Sequence, residues 1–524
     1  MKKKIKGIVL AGFFATILLT STLAIALNSG PQQSPEEKIT ITGTPEDNIP
    51  DLQRPRFCST GEPESNQYVT EFKIPTKCTM PLAITTDPSG MVWFAQTNTG
   101  KIAKFDPQTE YFTEYENPQW APSDRTMVWG MDYSYDGHVW YTDDLNDSIW
   151  KFSTSDGTYE QIPFPSASES LPQHIKVTGN QVIVNDFYGS KISLFDSKQE
   201  GAEKTYKNIP SPIPGSFVAG FDIDSQGSVW YTNWMLRQGG ALVKFDYNKF
   251  AEYTAANNVL DNSTALLFSD AFNLPPYLGT PVGLAVDQSD NIWIADTSSS
   301  SFVKFDPVSQ EFTKYVTSDP DPSTYGNHTG IIRTPVSGPY WVEINDGRLV
   351  FNEQIGNAIA VFDIESESLL EYQVPSKNPN WADCADRDDC GIAQVFGFKA
   401  AGDKVWFTEW VENNIGVVDL AKQLPIMMDI QQKQITLQRG QDAIVEMSLT
   451  PNYTTEVSLA AKDSSQFQDI LVDIPSDVDL SGPRTIQMAV TAKESALPGV
   501  YKVLVSARTA DVTVSQYVTV LVTP

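Results

Sequence analysis

A short apolar strand, usually centred on tryptophan, recurs along the chain. Val92-Trp93-Phe94 and Val405-Trp406-Phe407 are typical copies, and turn residues such as Pro88-Ser89-Gly90 precede them. Turn residues followed by β-branched and aromatic residues predict the strands of a hairpin. The repeat predicts seven related strands, at residues 91–95, 138–142, 181–185, 228–232, 291–295, 348–352 and 404–408.

Each of these strands belongs to a larger repeated unit. A second strand follows it, as in Lys101–Asp106, with a period of two that predicts one buried face. A more polar strand such as Tyr111–Tyr115 ends the unit, and a short apolar strand such as Pro81–Ile84 begins it. Four strands in about 40 to 55 residues are typical of a β-propeller blade. The sequence therefore predicts a seven-bladed β-propeller over residues 67–422.

The last unit lacks its outermost strand, whereas Tyr68–Pro75 has the pattern of such a strand but precedes the first unit. Closing a ring removes exposed sheet edges, which favours a shared last blade. We therefore expect Tyr68–Pro75 to complete the seventh blade, built from residues 393–420.

The pattern changes beyond residue 424. Short strands rich in Val, Ile and Thr alternate with turns over residues 425–524, and this region contains no His, Cys or Trp. Such alternation predicts an immunoglobulin-like β-sandwich, with a role in adhesion or spacing rather than in chemistry. The predicted fold class is all-β, a seven-bladed β-propeller followed by an immunoglobulin-like β-sandwich.

The N-terminal segment predicts export. Four lysines in the first six residues precede a charge-free apolar stretch, Ile8–Leu27. Residues 1–27 are therefore either a cleaved signal peptide, ending near Ala24-Ile25-Ala26, or an uncleaved transmembrane anchor. The polar, proline-rich residues 28–66 predict a disordered linker. Both alternatives place the protein outside the cell, secreted or anchored to the cell membrane.

Cysteines and sequons are consistent with an extracellular protein. The four cysteines favour disulfides, most simply Cys58 with Cys78 and Cys384 with Cys390, although two other connectivities and a zinc site are alternatives. Export also makes four Asn-x-Ser/Thr sequons candidate glycosylation sites: Asn146, Asn262, Asn327 and Asn452.

Charge restricts the class of partner. The chain has 37 Lys and Arg against 65 Asp and Glu, a net charge of −28. This excess repels phosphate backbones and argues against nucleic acid as a partner. It suits a hydrated exterior, and it would also suit divalent cations.

A polar residue recurs three positions after the Trp position. In a propeller these strand ends would surround one mouth of the channel, where converging carboxylates suit a cation or a hydroxyl-rich ligand. The alternative is that each side chain caps its own turn. Asp296, Glu353 and Glu409 are candidate metal ligands, for Mg²⁺ or Ca²⁺. The predicted binding residues are Gln96, Asp143, Asp186, Asn233, Asp296, Glu353 and Glu409.

Two motifs, Val405-Trp406-Phe407-Thr408-Glu409 and Asn414-Ile415-Gly416, resemble those of the streptogramin (virginiamycin B) lyase family. The resemblance covers residues 68–420, and gluconolactonase-like and NHL-repeat propellers share the pattern. It implies a propeller with a magnesium-dependent site of His and Glu. The positions that correspond to the family's first His carry other residues here: Leu82, Trp129, Ala219, Val282 and Val395.

The chain has three histidines, His138, His174 and His328. His328 lies in Asn327-His328-Thr329-Gly330-Ile331, which partly matches the family's His element. The resemblance thus suggests His328, Glu353 and Glu409 as candidate catalytic residues. General-base chemistry would otherwise fall on carboxylates.

Three functions are compatible with these observations. The first is an exported binding module whose acidic mouth holds a small molecule, a glycan or an envelope protein. The alternative is a metal-dependent streptogramin lyase-like or lactonase-like enzyme. The third is a purely structural component of the cell envelope. The sequence leaves enzymatic activity open.

Overall fold

The computed structural model describes residues 58–59, 61–120, 127–164, 170–198, 206–213, 215–235, 239–257, 262–325, 336–382, 384 and 390–524. The predicted signal or anchor at 1–27, most of the linker, His328 and the sequon at Asn327 lie outside these ranges. Within them, no helix has the length and apolar character needed to cross a bilayer.

Four-stranded antiparallel sheets repeat along the first four-fifths of the described chain, and we number them units 1 to 7. β1 (Val69–Lys73) precedes them. Unit 1 contains β2 (Pro81–Thr86), β3 (Val92–Gln96), β4 (Lys101–Asp106) and β5 (Tyr111–Tyr115). Unit 2 contains β6 (Met131–Ser134), β7 (His138–Asp143), β8 (Ser148–Ser153) and β9 (Tyr159–Pro163). Unit 3 contains β10 (Pro172–Thr178), β11 (Gln181–Asp186), β12 (Lys191–Asp196) and β13 (Lys207–Pro210).

The later units follow the same order. Unit 4 contains β14 (Phe217–Ile223), β15 (Val229–Met235), β16 (Gly239–Phe245) and β17 (Ser269–Asn273), with helices α1 (Tyr247–Asn257) and α2 (Asn262–Ala265) before β17. Unit 5 contains β18 (Pro281–Val286), β19 (Ile292–Asp296), β20 (Ser301–Asp306) and β21 (Glu311–Val316), and helix α3 (Pro322–Tyr325) follows it. Unit 6 contains β22 (Pro339–Asn345), β23 (Arg348–Glu353), β24 (Ala358–Asp363) and β25 (Ser368–Gln373). Unit 7 contains β26 (Val395–Ala401), β27 (Lys404–Glu409) and β28 (Asn414–Asp419).

The turn before the Trp strand explains why the hairpin forms so regularly. Asp87, for example, accepts hydrogen bonds from the backbone N–H groups of Ser89 and Met91, at 2.8 and 3.1 Å, and from the Trp93 indole at 2.9 Å. Asp224 and Asp287 bind Trp230 and Trp293 in the same way. A short polar side chain that caps its own turn is favourable in this position. One aspartate therefore fixes both the turn and the indole that packs between sheets.

The first strands of the units form a closed ring. Each first strand contacts the first strand of the next unit, and β26 contacts β2. β1 pairs with β28 in antiparallel register, from Val69 opposite Val418 to Lys73 opposite Asn414. The prediction that Tyr68–Pro75 completes the last sheet is therefore confirmed. The Cys58–Cys78 and Cys384–Cys390 disulfides are also confirmed, with Cα–Cα distances of 5.3 Å in each.

The C-terminal strands form two further layers. They are β29 (Ile426–Ile430), β30 (Gln434–Gln438), β31 (Asp442–Pro451), β32 (Thr455–Asp463), β33 (Ile470–Asp473), β34 (Asp477–Leu480), β35 (Arg484–Ala492), β36 (Gly499–Arg508) and β37 (Val512–Thr523). One sheet has the order β29-β31-β35-β33, and the other runs β37-β36-β32-β34 with β30 parallel to β37. Buried aliphatic residues of both sheets, including Val445, Met447 and Val503, form one core.

The second of these sheets is continuous with unit 6. β37 pairs with β25, the outermost strand of unit 6, from Ser368 opposite Gln516 to Tyr372 opposite Val512. Lys502 also forms an ion pair with Glu367 at 2.5 Å. The sequence pattern did not indicate this pairing, which makes a nine-stranded sheet.

Candidate functional site

The seven polar residues predicted to surround the mouth all lie at, or close to, the ends of the second strands. Each of them is at most 2% exposed. Their side chains are therefore buried in the sheets, and their hydrogen bonds decide what they can do.

Five of the seven bind groups within their own unit or the loop that leads to it. Asp143 accepts from the Trp150 indole at 2.9 Å, and Asp186 accepts from the backbone of Leu171 at 2.8 Å. Asp296 accepts from the Thr280 N–H at 2.7 Å. Asn233 accepts from the Ser211 hydroxyl at 2.7 Å, and the Gln96 amide donates to Glu114 at 2.8 Å. Asp143, Asp186 and Asp296 also accept from a backbone N–H of the turn that follows them, as in the alternative in which each side chain caps its own turn.

The other two, Glu353 and Glu409, each face a second carboxyl group from the outermost strand of the same unit. Glu409 interacts electrostatically with Glu71, and Glu353 with Glu371. Burial, followed by the neighbouring carboxylate, raises the pKa of Glu353 and of Glu409 well above the ordinary value. Both groups therefore hold a proton more strongly than an exposed glutamate does.

The candidate metal ligands belong to separate units. The Asp296 carboxylate already accepts from Thr280, Ser298 and Ser299. Among the residues that the structure describes, no three His, Cys, Asp or Glu side chains are grouped so that they could hold a metal ion. Asp296, Glu353 and Glu409 therefore do not fit a common Mg²⁺ or Ca²⁺ site.

The residues next to the predicted ones have a different environment. Gln354 follows Glu353, Trp410 follows Glu409, and Gln394 precedes β26, so all three lie at the same end of units 6 and 7. Three of their buried polar atoms have no hydrogen-bond partner: Gln354 Nε2, Gln394 Oε1 and Trp410 Nε1. Buried polar groups in native proteins are normally paired, so these atoms indicate a place for a ligand or for water.

Aromatic rings pack around one of these residues, Trp410. Trp410 packs against Phe396 and Trp381, with ring centroids 5.2 and 5.5 Å apart. Phe396 in turn contacts Trp129 and Tyr340, each at 6.0 Å. This largely buried cluster, which we call the aromatic floor, is formed by Trp129, Tyr340, Trp381, Phe396 and Trp410.

Neither a protein-family model nor a curated protein matches this sequence. Solved structures match it. Virginiamycin B lyase from Staphylococcus aureus is 20% identical with a TM-score of 0.50, over 67% of this chain and 99% of that chain. A streptogramin B lyase is 21% identical with a TM-score of 0.50, over 67% and 97%. A catalytically inactive form of the S. aureus lyase, solved with quinupristin, gives 20% and 0.50 over 67% and 99%.

This chain is similar in fold to virginiamycin B lyase. The likeness confirms the resemblance seen in the Trp-strand motifs. At this level of identity it shows the fold alone, and chemistry has to be judged from the residues present.

The described histidines differ in their surroundings. His138 lies in a hairpin, with Nδ1 3.1 Å from Asp136 Oδ1. His174 lies on the first strand of unit 3, packed between Phe221 and Trp341 at 4.8 and 5.4 Å. Burial, with the charge of Lys176 nearby, lowers the pKa of His174 to about 4, so its imidazole is neutral at physiological pH. The resemblance to virginiamycin B lyase implies a His at one position of unit 2. This chain has Trp129 at that position, and Trp129 belongs to the aromatic floor.

Charged residues on the first strands form a second feature that sequence reasoning missed. They are the residues paired opposite the Trp position, and three of them are acidic. Each acidic residue accepts a hydrogen bond from the backbone N–H of the next unit's first strand, at 2.7 to 3.1 Å. Two lysines at the same level form ion pairs with two of these acids. These residues, the inner charged ring, are Asp132, Lys176, Asp222, Glu343 and Lys399.

Two described sequons have engaged asparagines. The Asn146 amide donates to Asp143 at 2.9 Å, and the Asn452 amide donates to the Leu424 carbonyl at 2.7 Å. Asn262 is the first residue of α2. Glycosylation at these positions stays a prediction.

Proposed function

We propose that this chain is an exported two-domain protein that binds a ligand at one mouth of its channel. In this proposal units 1 to 7 are the blades of a seven-bladed β-propeller over residues 67–422, and residues 425–524 form an immunoglobulin-like β-sandwich. Two disulfides support an oxidising location outside the cell. Whether the N-terminal segment is cleaved or anchors the protein does not change the ligand site.

The unpaired atoms at one end of units 6 and 7 carry the binding proposal. Leaving a buried donor or acceptor unpaired costs about 1–3 kcal/mol. Such atoms belong to three residues at the same end of units 6 and 7: Gln354, Gln394 and Trp410. A ligand with hydroxyl or amide groups would pair with them, while its apolar face would cover the aromatic rings. We therefore infer an uncharged ligand rich in hydroxyl or amide groups, a small molecule or a glycan.

The residues predicted from sequence take supporting roles in this proposal. Asp143, Asp186, Asn233 and Asp296 hold the strand ends and loops. Glu353 and Glu409 directly precede Gln354 and Trp410 in the chain. The proposed site therefore includes the residue that follows each of these glutamates rather than the glutamate alone.

A glycan panel with matched variants tests the proposal. The probe is a set of neutral oligosaccharides from cell-envelope polymers, with affinity measured by calorimetry. Trp410→Phe keeps the ring and removes the indole N–H, so binding should weaken about 5- to 10-fold, the effect of one hydrogen bond. Trp406→Phe on the same strand, whose ring packs against Phe105 away from the floor, is the control and should bind as the wild type does.

Two outcomes would contradict the proposal. One is that no oligosaccharide binds the wild-type protein. The other is that both variants bind equally to the wild type. Incubation with streptogramin B and with sugar lactones, with and without Mg²⁺ or Ca²⁺, belongs to the same test, because turnover of either substrate would favour the enzyme alternative.

A further inference from the structure

Units 6 and 7 each bury a pair of glutamates. In unit 7, Glu409 at the end of β27 meets Glu71 of β1, and in unit 6, Glu353 at the end of β23 meets Glu371 of β25. All four residues are at most 5% exposed. Two buried carboxylates side by side repel each other strongly, so each pair needs a proton or a cation between its members.

Unit 1 supplies an internal reference for these pairs. Register places Glu114, Glu371 and Glu71 at the same point of the outermost strand, opposite Ala103, Ala360 and Gly416. At the inner position unit 1 has Gln96, whose amide donates to Glu114 at 2.8 Å. A glutamate in place of that glutamine can make the same bond only if it carries a proton.

The hydrogen bonds of the outer glutamates show which member of each pair is ionised. Glu371 accepts from the N–H and hydroxyl of Ser318, at 3.0 and 2.6 Å. Glu71 accepts from the N–H and hydroxyl of Ser376, and from the Glu64 N–H at 2.8 Å. Glu114 has the equivalent bonds from Thr76. Several donors favour the charged form of a carboxylate, so the outer glutamate is the anion and the inner one is the acid.

We propose that Glu353 and Glu409 are carboxylic acids at neutral pH, each sharing its proton with Glu371 or Glu71, so that units 6 and 7 are most stable in an acidic medium. This goes beyond the proposed ligand site and does not depend on it. Two unpaired atoms support this proposal, since Glu353 Oε1 and Glu409 Oε1 have no hydrogen-bond donor in the structure. The carboxylic hydrogen supplies the donor that each pair lacks.

The nearby charges do not remove the need for a proton. Lys462 and Arg508 interact with the unit 6 pair at long range. Lys73 interacts with the unit 7 pair, but Glu412 adds a further negative charge there. The hydroxyls of Ser337 and Thr317 also favour the charged form of Glu353, but they are hydrogen-bonded to each other. None of the hydrogen bonds that the structure gives to Glu353 or Glu409 comes from a lysine or an arginine.

The pH dependence has a definite sign. Burial raises the pKa of all four glutamates, so the folded protein binds protons that the unfolded chain releases above about pH 4.3. The stabilisation is complete below that pH and decreases as the pH rises towards the raised pKa values. A rise in pH therefore weakens units 6 and 7.

Isosteric amides test this proposal in the full chain. The thermal midpoint is measured from pH 4 to pH 9 for the wild type, Glu353→Gln, Glu409→Gln and the double variant. Wild-type midpoints should fall as the pH rises, and the double variant should lose most of that slope, because an amide N–H replaces the shared proton. Glu311→Gln, an exposed position, is the control and should keep the wild-type slope.

A second measurement does not depend on stability. Infrared spectroscopy at neutral pH should show a protonated carboxyl band that weakens in each single variant and is lost in the double variant. Gln96→Glu should add a third pair and steepen the fall at high pH. Equal slopes in wild type and double variant, or no protonated band, would overturn the proposal. A midpoint raised at neutral pH by Mg²⁺ or Ca²⁺, and lowered by a chelator, would overturn it too, because the pairs would then hold a cation.

Discussion

Glycine lies where the first strands of neighbouring units come closest. A Cβ atom on Gly283 would be 2.1 Å from the Tyr340 carbonyl oxygen, and one on Gly397 would be 2.0 Å from that of Leu82. These atoms are backbone of the next unit, so they cannot move aside as a side chain would. The ring of first strands therefore requires glycine, which has no side chain, at these two positions.

Gly283→Ala should destabilise the protein by about 1–3 kcal/mol or more, the usual effect of overpacking. The measurement is the denaturation midpoint in urea. Gly482→Ala, where nothing lies within 4 Å of the added atom, should leave the midpoint nearly unchanged. Equal midpoints for the two variants would show that the first strands do not approach each other this closely at Gly283.

For single residues, the sequence predicted which strand positions are buried but missed some residues of the proposed site. Period-two alternation identified the Trp strands and their buried faces, because it holds along a regular strand. It could not identify Trp410 and Gln354, which lie just past the strand ends, where alternation no longer says which way a side chain points. The pairing of Glu409 with Glu71 was also hidden, since the two residues are separated by almost the whole ring.

Among the elements, β1 is a short strand on which the stability of the last sheet depends. Phe72 packs 4.6 Å from Phe105, and Val69 and Ile74 are buried. Each such side chain contributes about 1.5–3 kcal/mol, against a total stability of about 5–15 kcal/mol. Deleting residues up to Lys77 should therefore unfold or aggregate the protein, whereas deleting residues up to Pro50 should not.

Thermal unfolding of the two truncated proteins measures this effect. Equal midpoints would show that β1 is dispensable and that the last sheet closes in another way. The sequence predicted this strand correctly because its absence from the last unit and its presence before the first are both visible as local patterns. It did not predict the partner of β25, since an exposed edge carries no sign of which strand will cover it.

For the whole molecule, the nine-stranded sheet joins the C-terminal strands to unit 6. The N–H of Gln373 donates to the Asp511 carbonyl at 3.0 Å, and that of Tyr517 donates to the Glu367 carbonyl at 3.3 Å. In an antiparallel ladder the bonded pairs alternate, so Ser515 and Leu369 form one of them. We expect the two parts to unfold in a single cooperative transition.

Ser515→Pro removes the N–H that this pair needs and should divide the calorimetric transition into two. Ser515→Ala keeps the N–H and should retain one transition. Two transitions in the wild type would mean that the parts are energetically independent despite the shared sheet.

The acidic residues of the inner charged ring link neighbouring units. Asp132 joins unit 2 to unit 3, Asp222 joins unit 4 to unit 5, and Glu343 joins unit 6 to unit 7, each through a backbone N–H. The Lys176–Asp222 ion pair adds a link from unit 3 to unit 4. Unit 1 takes part in none of the three carboxylate bonds, and Thr85 stands there in the corresponding position. Unit 1 also adjoins the place where the ring is closed by β1 and by the Cys58–Cys78 disulfide. The unit without a carboxylate link of this kind is therefore the one that lies next to the covalent closure of the ring.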